Sequence, residues 1–201
     1  MTHAEGSWAG ATVVCMASGP SMNQADAEAC RGRARVIVVN TTFRLAPWAD
    51  ICYTNDDDWL KLHLGEMRES FEGQIWCGHP TYRSIWVHSL PFDKLAPGCA
   101  GPGRIAWGMN SGAAAIDLAR YLGAARIVLL GYDQDWHGTQ PRWHGRHPEL
   151  LQNGRPGFRR WAGWFGQAAK DLQGLGIEVI NASRRTSLTC FKRADLSEAL
   201  A

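Results

Sequence analysis

The sequence predicts an α/β fold with three layers and a mostly parallel central sheet. Three apolar runs at 11–17, 35–40 and 126–131 lack the alternation of polar and apolar residues, which is typical of strands covered on both faces. Stretches with apolar residues at helical spacing separate these runs. Strands that alternate with helices indicate parallel pairing through crossover helices, and this arrangement is Rossmann-like.

The length and charge of the chain favour one domain without a generally basic surface. The chain has 201 residues and a formal net charge of +2, and no linker or charge block divides it. We predict a single nucleotide-binding or nucleotide-sugar-binding domain over residues 1–201, with peripheral tails at 1–10 and 192–201. Arginines concentrate between 142 and 185, which fits either a solvated basic face or a site for an anionic ligand.

The cysteines and the hydropathy pattern point to the cytoplasm. The six cysteines form no CxxC pair and no disulfide-framework spacing, which predicts reduced thiols. No apolar run approaches the ~20 residues that a membrane-spanning helix needs. We therefore expect a cytoplasmic protein without a membrane span.

A glycine-containing turn follows the first predicted strand. Ser18, Gly19, Pro20 and Ser21 lie between this strand and a polar helical stretch that reaches Cys30. A strand, turn and helix in this order direct backbone N–H groups at a phosphate, although an ordinary strand-to-helix turn has a similar sequence. Ser21 is also a candidate N-cap of the helix.

The next two predicted strands also end in polar residues. Asn40 ends the second strand, and an acidic triplet at 56–58 follows the third strand at 51–54. Parallel strands place Asn40 at the same sheet edge as Ser18, where such folds bind ligands. The triplet fits a cap of the following helix better than a divalent-ion site. From 73 to 108 we expect one or two strands and a long connection.

The segment 109–135 contains the clearest helix and strand. Asn110, Ser111 and Gly112 precede an amphipathic helix that Gly123 ends as a C-cap, and the strand at 126–131 follows. This strand should lie inside the sheet, with its polar end at the binding edge. Asp133, just beyond the strand, either contacts a ligand or caps the following turn.

A loop rich in histidine and tryptophan follows the strand. His144 and His147 are candidate general bases, because histidine titrates near neutral pH and loops at strand ends carry catalytic groups. Trp136 and Trp143 are candidates to stack on an acceptor. A metal site at Asp133 and Asp135 is a weaker alternative, because the spacing matches no zinc pattern. A helix over 157–172 and a strand over 177–181 complete the prediction.

The order of these motifs resembles the bacterial CMP-sialic-acid-dependent sialyltransferases. The quoted motifs are SGPSM, VVN, NSGAAAIDLARYLGAARIVLLGYD, the histidine-bearing loop and GIEVINAS, which together span roughly residues 12 to 185. The layout is also similar to the archaeal hydroxymethylpterin diphosphokinase-like family and to small phage proteins. The chain is shorter than the sialyltransferases and lacks much of their acceptor-binding lid.

We predict a nucleotide-binding set along the sheet edge and no tightly bound cofactor. The resemblance implies Gly19, Pro20, Ser21, Asn40, Ser111, Gly112 and Asp133, and the neighbouring Ser18 and Asn110 complete the set. The resemblance also implies that His144 or His147 is the catalytic base. Tyr132, Arg142 or Arg146 would take the place of the family's tyrosines that steady the departing phosphate.

Three functions follow as expectations. The first is a glycosyltransferase with a nucleotide-sugar donor. If the likeness to phage proteins is the relevant one, its acceptor would be a hydroxymethylated base in DNA, and the protein would act in the host cytoplasm. The second is diphosphokinase-like phosphoryl transfer from ATP with Mg²⁺. The third is a nucleotide-binding protein without catalytic activity.

Overall fold

A computed structural model describes residues 5–78, 84–108, 110–135, 140, 142–145 and 158–201. Its centre is an eight-stranded sheet in the order β10-β9-β8-β1-β2-β3-β4-β5, and every neighbouring pair of strands is parallel. Helices cover the sheet, so the predicted Rossmann-like α/β fold is confirmed. No helix in the described ranges has both the length and the apolar character to cross a bilayer.

The strands are short, and their bounds are as follows: β1 (Thr12–Met16), β2 (Arg35–Val39), β3 (Ile51–Thr54), β4 (Gln74–Cys77), β5 (Val87–Ser89), β6 (Phe92–Asp93), β7 (Ile105–Ala106), β8 (Arg126–Leu130), β9 (Glu178–Asn181) and β10 (Lys192–Arg193). The helices are α1 (Gln24–Cys30), α2 (Asp57–Ser70), α3 (Ser111–Leu122), α4 (Phe158–Gly174) and α5 (Leu196–Ala199). A 3₁₀ helix, Asn40–Arg44, follows β2, and β6 pairs only with β7 in a separate two-stranded sheet.

Alternate residues of the strands face two different cores, as the pleat of a sheet requires. Cys15 of β1 packs with α3 and α4, whereas its neighbours Val14 and Met16 pack with α1, α2 and α5. All three residues are fully buried. Coverage on both faces explains why the strand sequences are continuously apolar.

Helix α3 lies closest to the centre of the sheet. It packs against β1, β2 and β3, and eleven of its twelve residues are buried. Its alanines allow this close approach, Gly123 caps its C-terminal end as predicted, and Asn110 is its N-cap. The buried carboxylate of Asp117 accepts the backbone N–H groups of Ala100 (3.0 Å) and Ala106 (2.6 Å). This contact fixes the long connection before α3.

Several local predictions need correction. Asn23, and not Ser21, is the N-cap of α1, because the Ser21 side chain is used elsewhere. Asn40 begins the 3₁₀ helix and does not end β2. The described part of the segment 73–108, which leaves out 79–83, contains four short strands where one or two were expected. Asp56 caps α2 as predicted, with its carboxylate 3.0 Å from the N–H of Trp59.

The two segments predicted as tails make specific contacts. Trp8 is buried, and its backbone N–H donates to the carbonyl of Leu122 over 2.6 Å. At the other end, β10 pairs with β9 at the edge of the sheet, and Ala199 of α5 is fully buried. Elements of two and four residues are too short for a periodic pattern to predict.

Candidate functional site

The carboxyl ends of β1, β2, β3 and β8 lie at one edge of the sheet because these strands are parallel. Helix α1, which follows β1, lies on one face, whereas α4, which follows β8, lies on the other. After β1 the chain therefore continues to one face of the sheet, and after β8 it continues to the opposite face. In an open α/β sheet this topological switch point forms a crevice where ligands bind.

Asp133 holds the turn after β1. Its two carboxylate oxygens accept hydrogen bonds from Ser21, one from the backbone N–H over 2.8 Å and one from the hydroxyl over 2.7 Å. Asp133 is only 3% exposed. Ser21 and Asp133, both members of the predicted nucleotide-binding set, thus bind each other. Because of this contact, Asp133 orients the turn.

Gly19 is required by this packing. Its N–H donates to the carbonyl of Gly131 over 2.8 Å. A Cβ atom at position 19 would lie less than 3.0 Å from both this carbonyl oxygen and the Asp133 carboxylate. Only glycine lets the turn come this close to the end of β8.

The turn also contacts the end of β2. The Ser18 hydroxyl lies 3.3 Å from the carbonyl of Val39, to which it donates, and 3.1 Å from the hydroxyl of Thr42. Asn40 adopts φ 50°, a left-handed conformation that asparagine tolerates better than most residues. Its buried Oδ1 has no hydrogen-bond partner among the described residues. Burial of such an oxygen without a partner costs about 1–3 kcal/mol, so Asn40 is a candidate ligand-binding residue.

The beginning of α3 reaches the same edge but is occupied by internal hydrogen bonds. The Asn110 side chain accepts the N–H of Ala113 over 2.9 Å, and the Ser111 hydroxyl accepts the N–H of Asn55 over 2.9 Å. Gly112 contributes its carbonyl, which accepts the hydroxyl of Tyr132 over 2.8 Å. These residues fix the position of α3 at the end of β3.

Tyr132 does not fit the role of a phosphate ligand. The residue is fully buried, and this burial raises the pKa of its hydroxyl well above the ordinary value. Because the hydroxyl is committed to the Gly112 carbonyl, it cannot contact a ligand without disrupting α3. We therefore remove Tyr132 from the candidate site.

Residues 142–145 cover the ends of β1 and β2. The N–H of Trp143 donates to the carbonyl of Ser18 over 3.2 Å, and its indole N–H donates to the hydroxyl of Thr42 over 3.3 Å. The ring is half-buried, so the predicted acceptor-stacking residue instead attaches this loop to the sheet edge. The ring of His144 packs edge-on against Trp143, with centroids 5.2 Å apart.

Arg142 is a half-buried cation at this edge. Desolvation lowers the pKa of its guanidinium, and no carboxylate of the described residues forms an ion pair with it. Its backbone carbonyl is held by the side chain of Gln140 over 2.8 Å. A partly desolvated arginine without a counter-ion favours an anionic ligand.

Three predicted site residues lie outside the described residues: Trp136, Arg146 and His147. Of the two candidate bases, only His144 is described. Within the described ranges, no group of three histidine, cysteine, aspartate or glutamate residues has metal-binding geometry.

A polar cavity of about 320 Å³ lies on the other side of the turn, at the ends of β8, β9 and β10. Its lining residues are Pro20, Asp133, Asp135, Arg184, Arg185, Thr186 and Arg193. Arg184 and Arg185 belong to the arginines between 142 and 185 that fit a site for an anionic ligand, whereas Arg193 was missed. That residue belongs to the two-residue strand β10, which no pattern predicts.

Comparison of the chain with models of known protein families, with curated proteins and with solved structures finds no match. The likeness to sialyltransferases and to diphosphokinase-like proteins therefore stays a prediction from the sequence motifs.

Proposed function

We propose that the protein is a glycosyltransferase that uses a nucleotide-activated sugar and binds the donor at the carboxyl ends of β1 and β2. The observation that carries the proposal is Arg142, a half-buried arginine of the loop that covers these strand ends, which has no carboxylate partner in the described residues. The phosphate of a nucleotide is the anion that such a site at a parallel-sheet edge accepts.

Two features at the ends of β1 and β2, which the Arg142 loop covers through Trp143, support a nucleotide. The unpartnered Oδ1 of Asn40 is an acceptor for an amino or hydroxyl group of a base or ribose. The Ser18–Ser21 turn is fixed by Asp133 and Gly131, so little entropy is lost when a phosphate binds beside it. The motif resemblance adds the sugar as the transferred group.

Glycosyl transfer requires a base and a stabilised leaving group. The acceptor hydroxyl attacks the anomeric carbon as His144 or His147 takes its proton. The bond from that carbon to the nucleotide phosphate breaks, and the phosphate leaves with the electron pair. Arg142 stabilises the charge that develops on the phosphate oxygens.

The first test is a thermal-shift screen with CMP, UDP, GDP, ADP and ATP, with and without Mg²⁺. A ligand at ~100 times its Kd adds about 2.7 kcal/mol, which raises the Tm of a chain of this size by about 5–10 °C. We expect CMP or UDP to stabilise the protein without Mg²⁺. Asn40→Ala and Arg142→Gln should each abolish most of the shift.

Arg33→Gln is the matched control, because Arg33 is exposed and lies before β2, at the opposite end of the sheet. This variant should keep the full shift. His144→Gln should also keep the shift but, if His144 is the base, lower donor turnover about 10²–10⁴-fold. If ATP with Mg²⁺ is the only ligand that stabilises the protein, phosphoryl transfer is favoured. Nucleotide binding without turnover would indicate an accessory protein. The absence of a shift with any nucleotide would refute the proposal.

A further inference from the structure

We propose that the cavity of about 320 Å³ beside β9 and β10 binds a small phosphate monoester that also carries hydroxyl groups. In the transferase reaction proposed above, this ester would be the acceptor, and that role rests on the proposed function. The ability of the cavity to bind the ester does not rest on it. Pro20 lines this cavity, and Ser18 at the other end of the same turn contacts the Arg142 loop. Donor and acceptor sites would thus flank one turn.

The positive charge of the cavity comes from two arginines. Arg184 is neutralised by Asp26 through two hydrogen bonds of 2.7 and 2.8 Å. Arg185 and Arg193, in contrast, form no ion pair with any described residue. Two guanidinium groups that converge on one cavity suit a phosphate, which accepts hydrogen bonds from both.

The other wall accepts hydrogen bonds. Asp135 lines the cavity, and its carboxylate accepts hydrogen bonds of the kind that the hydroxyl groups of a ligand donate. The mixture of guanidinium groups with the carboxylates of Asp133 and Asp135 fits an ester that carries hydroxyl groups beside its phosphate. The volume lies at the lower end of the range for small-molecule sites, about 300–1,000 Å³. A sugar phosphate therefore fits this cavity better than an extended nucleic-acid strand.

The arginines are attached to a rigid loop. The Ser183 hydroxyl accepts the N–H of Tyr132 over 2.9 Å, and the Thr186 hydroxyl donates to the carbonyl of Tyr132 over 2.6 Å. Arg193 itself donates to the carbonyl of Ser183 over 2.6 Å. The Arg193 guanidinium is thereby held in place, and the fixed loop sets the position of the Arg185 backbone, which lowers part of the entropy cost of binding.

The test is calorimetric titration with ribose 5-phosphate, ribose and inorganic phosphate. We expect ribose 5-phosphate to bind most tightly. Arg185→Gln and Arg193→Gln should each weaken it about tenfold or more, as the loss of a charge-assisted hydrogen bond predicts. Asp135→Asn should weaken ribose 5-phosphate but not inorganic phosphate. Arg33→Gln should change neither.

The same titration separates this proposal from the function proposed above. Arg142→Gln should leave ribose 5-phosphate binding unchanged while it abolishes the nucleotide shift. If no nucleotide binds but the ester still depends on Arg185, the transferase proposal fails and the binding site stands.

Three results would overturn the site. One is the absence of binding up to about 10 mM ester. Another is competition between the ester and a bound nucleotide, which would assign the cavity to the donor. The third is an Arg185-dependent affinity for a single-stranded oligonucleotide without affinity for the ester, which would assign it to nucleic acid.

Discussion

Replacement of Asp133 by alanine should destabilise the protein even in the absence of any ligand. The buried carboxylate accepts two hydrogen bonds from Ser21, of 2.8 and 2.7 Å. If Asp133 instead served mainly to contact a ribose, its loss would weaken nucleotide binding and leave the stability of the free protein nearly unchanged. The two roles therefore predict different unfolding curves.

The expected size of the effect follows from these two bonds. A hydrogen bond to a charged group contributes about 1.5–3 kcal/mol. Ser21 is half-buried and regains some contact with water, so we expect Asp133→Ala to lower the free energy of unfolding by about 3 kcal/mol, near the lower end of the sum of two such bonds. For a chain of this length, that loss lowers the Tm by about 6–12 °C. Ser21→Ala removes only the hydroxyl bond and should cost about 1.5 kcal/mol.

The assay is urea denaturation followed by tryptophan fluorescence, with Asp135→Ala as the matched control. Asp135 is exposed, and its loss should cost less than about 1 kcal/mol. A double-mutant cycle between Asp133 and Ser21 should show a coupling energy above about 0.5 kcal/mol. An Asp133→Ala variant with wild-type stability would refute the structural role of this carboxylate.

Three further predictions concern single residues. Gly19→Ala should destabilise the protein and abolish nucleotide binding, because its Cβ would collide with the Asp133 carboxylate. In thiol titration of the native protein Cys190 should react first, because it is the exposed cysteine, and the four buried cysteines should react only on unfolding. Burial lowers the pKa of His63 below 6.5, so the unfolded chain binds the proton more readily and stability should fall as the pH drops below 6.5.

Each of these predictions has its own control. Gly101→Ala is the control for Gly19→Ala, because neither glycine has a positive φ and nothing lies within 4 Å of a Cβ added at position 101, so this variant should keep nearly the full stability. Cys190→Ser should remove the fast thiol, and a fast thiol that persists after Cys190 and the half-buried Cys99 are both replaced would contradict the burial of the other four. His63→Phe keeps a ring against Trp59 and should flatten the loss of stability on acidification. An unchanged pH profile in that variant would refute the assignment.

Elements with a strong local pattern could be predicted from the sequence. The alanine-rich helix α3, its C-cap Gly123 and the buried strand β8 are confirmed almost to the residue. The strands β5 and β10 could not be predicted, because two or three residues define no period. They join the sheet only because longer neighbouring strands offer an edge with which they can pair.

The sequence predicts where the candidate site lies, but it does not predict which of its side chains contact one another. The positions of Ser18, Asn40 and Asp133 at one edge follow from parallel strands. Which polar group binds another could not be read from the sequence, because the Asp133–Ser21 pair spans more than a hundred residues. The hydrogen bond from the Tyr132 hydroxyl to the Gly112 carbonyl also joins residues that are distant in the sequence. The sequence therefore predicted a ligand contact for a hydroxyl that is buried against α3.

The position of β1 has a consequence for synthesis of the protein. Its first neighbour, β2, follows within about two dozen residues, but its second neighbour, β8, emerges over a hundred residues later. At about 5–20 residues per second, β1 waits roughly 5–20 s on the ribosome with one side unpaired. During this interval the nascent chain exposes an apolar strand edge, which makes it a substrate for chaperones that hold unfinished sheets.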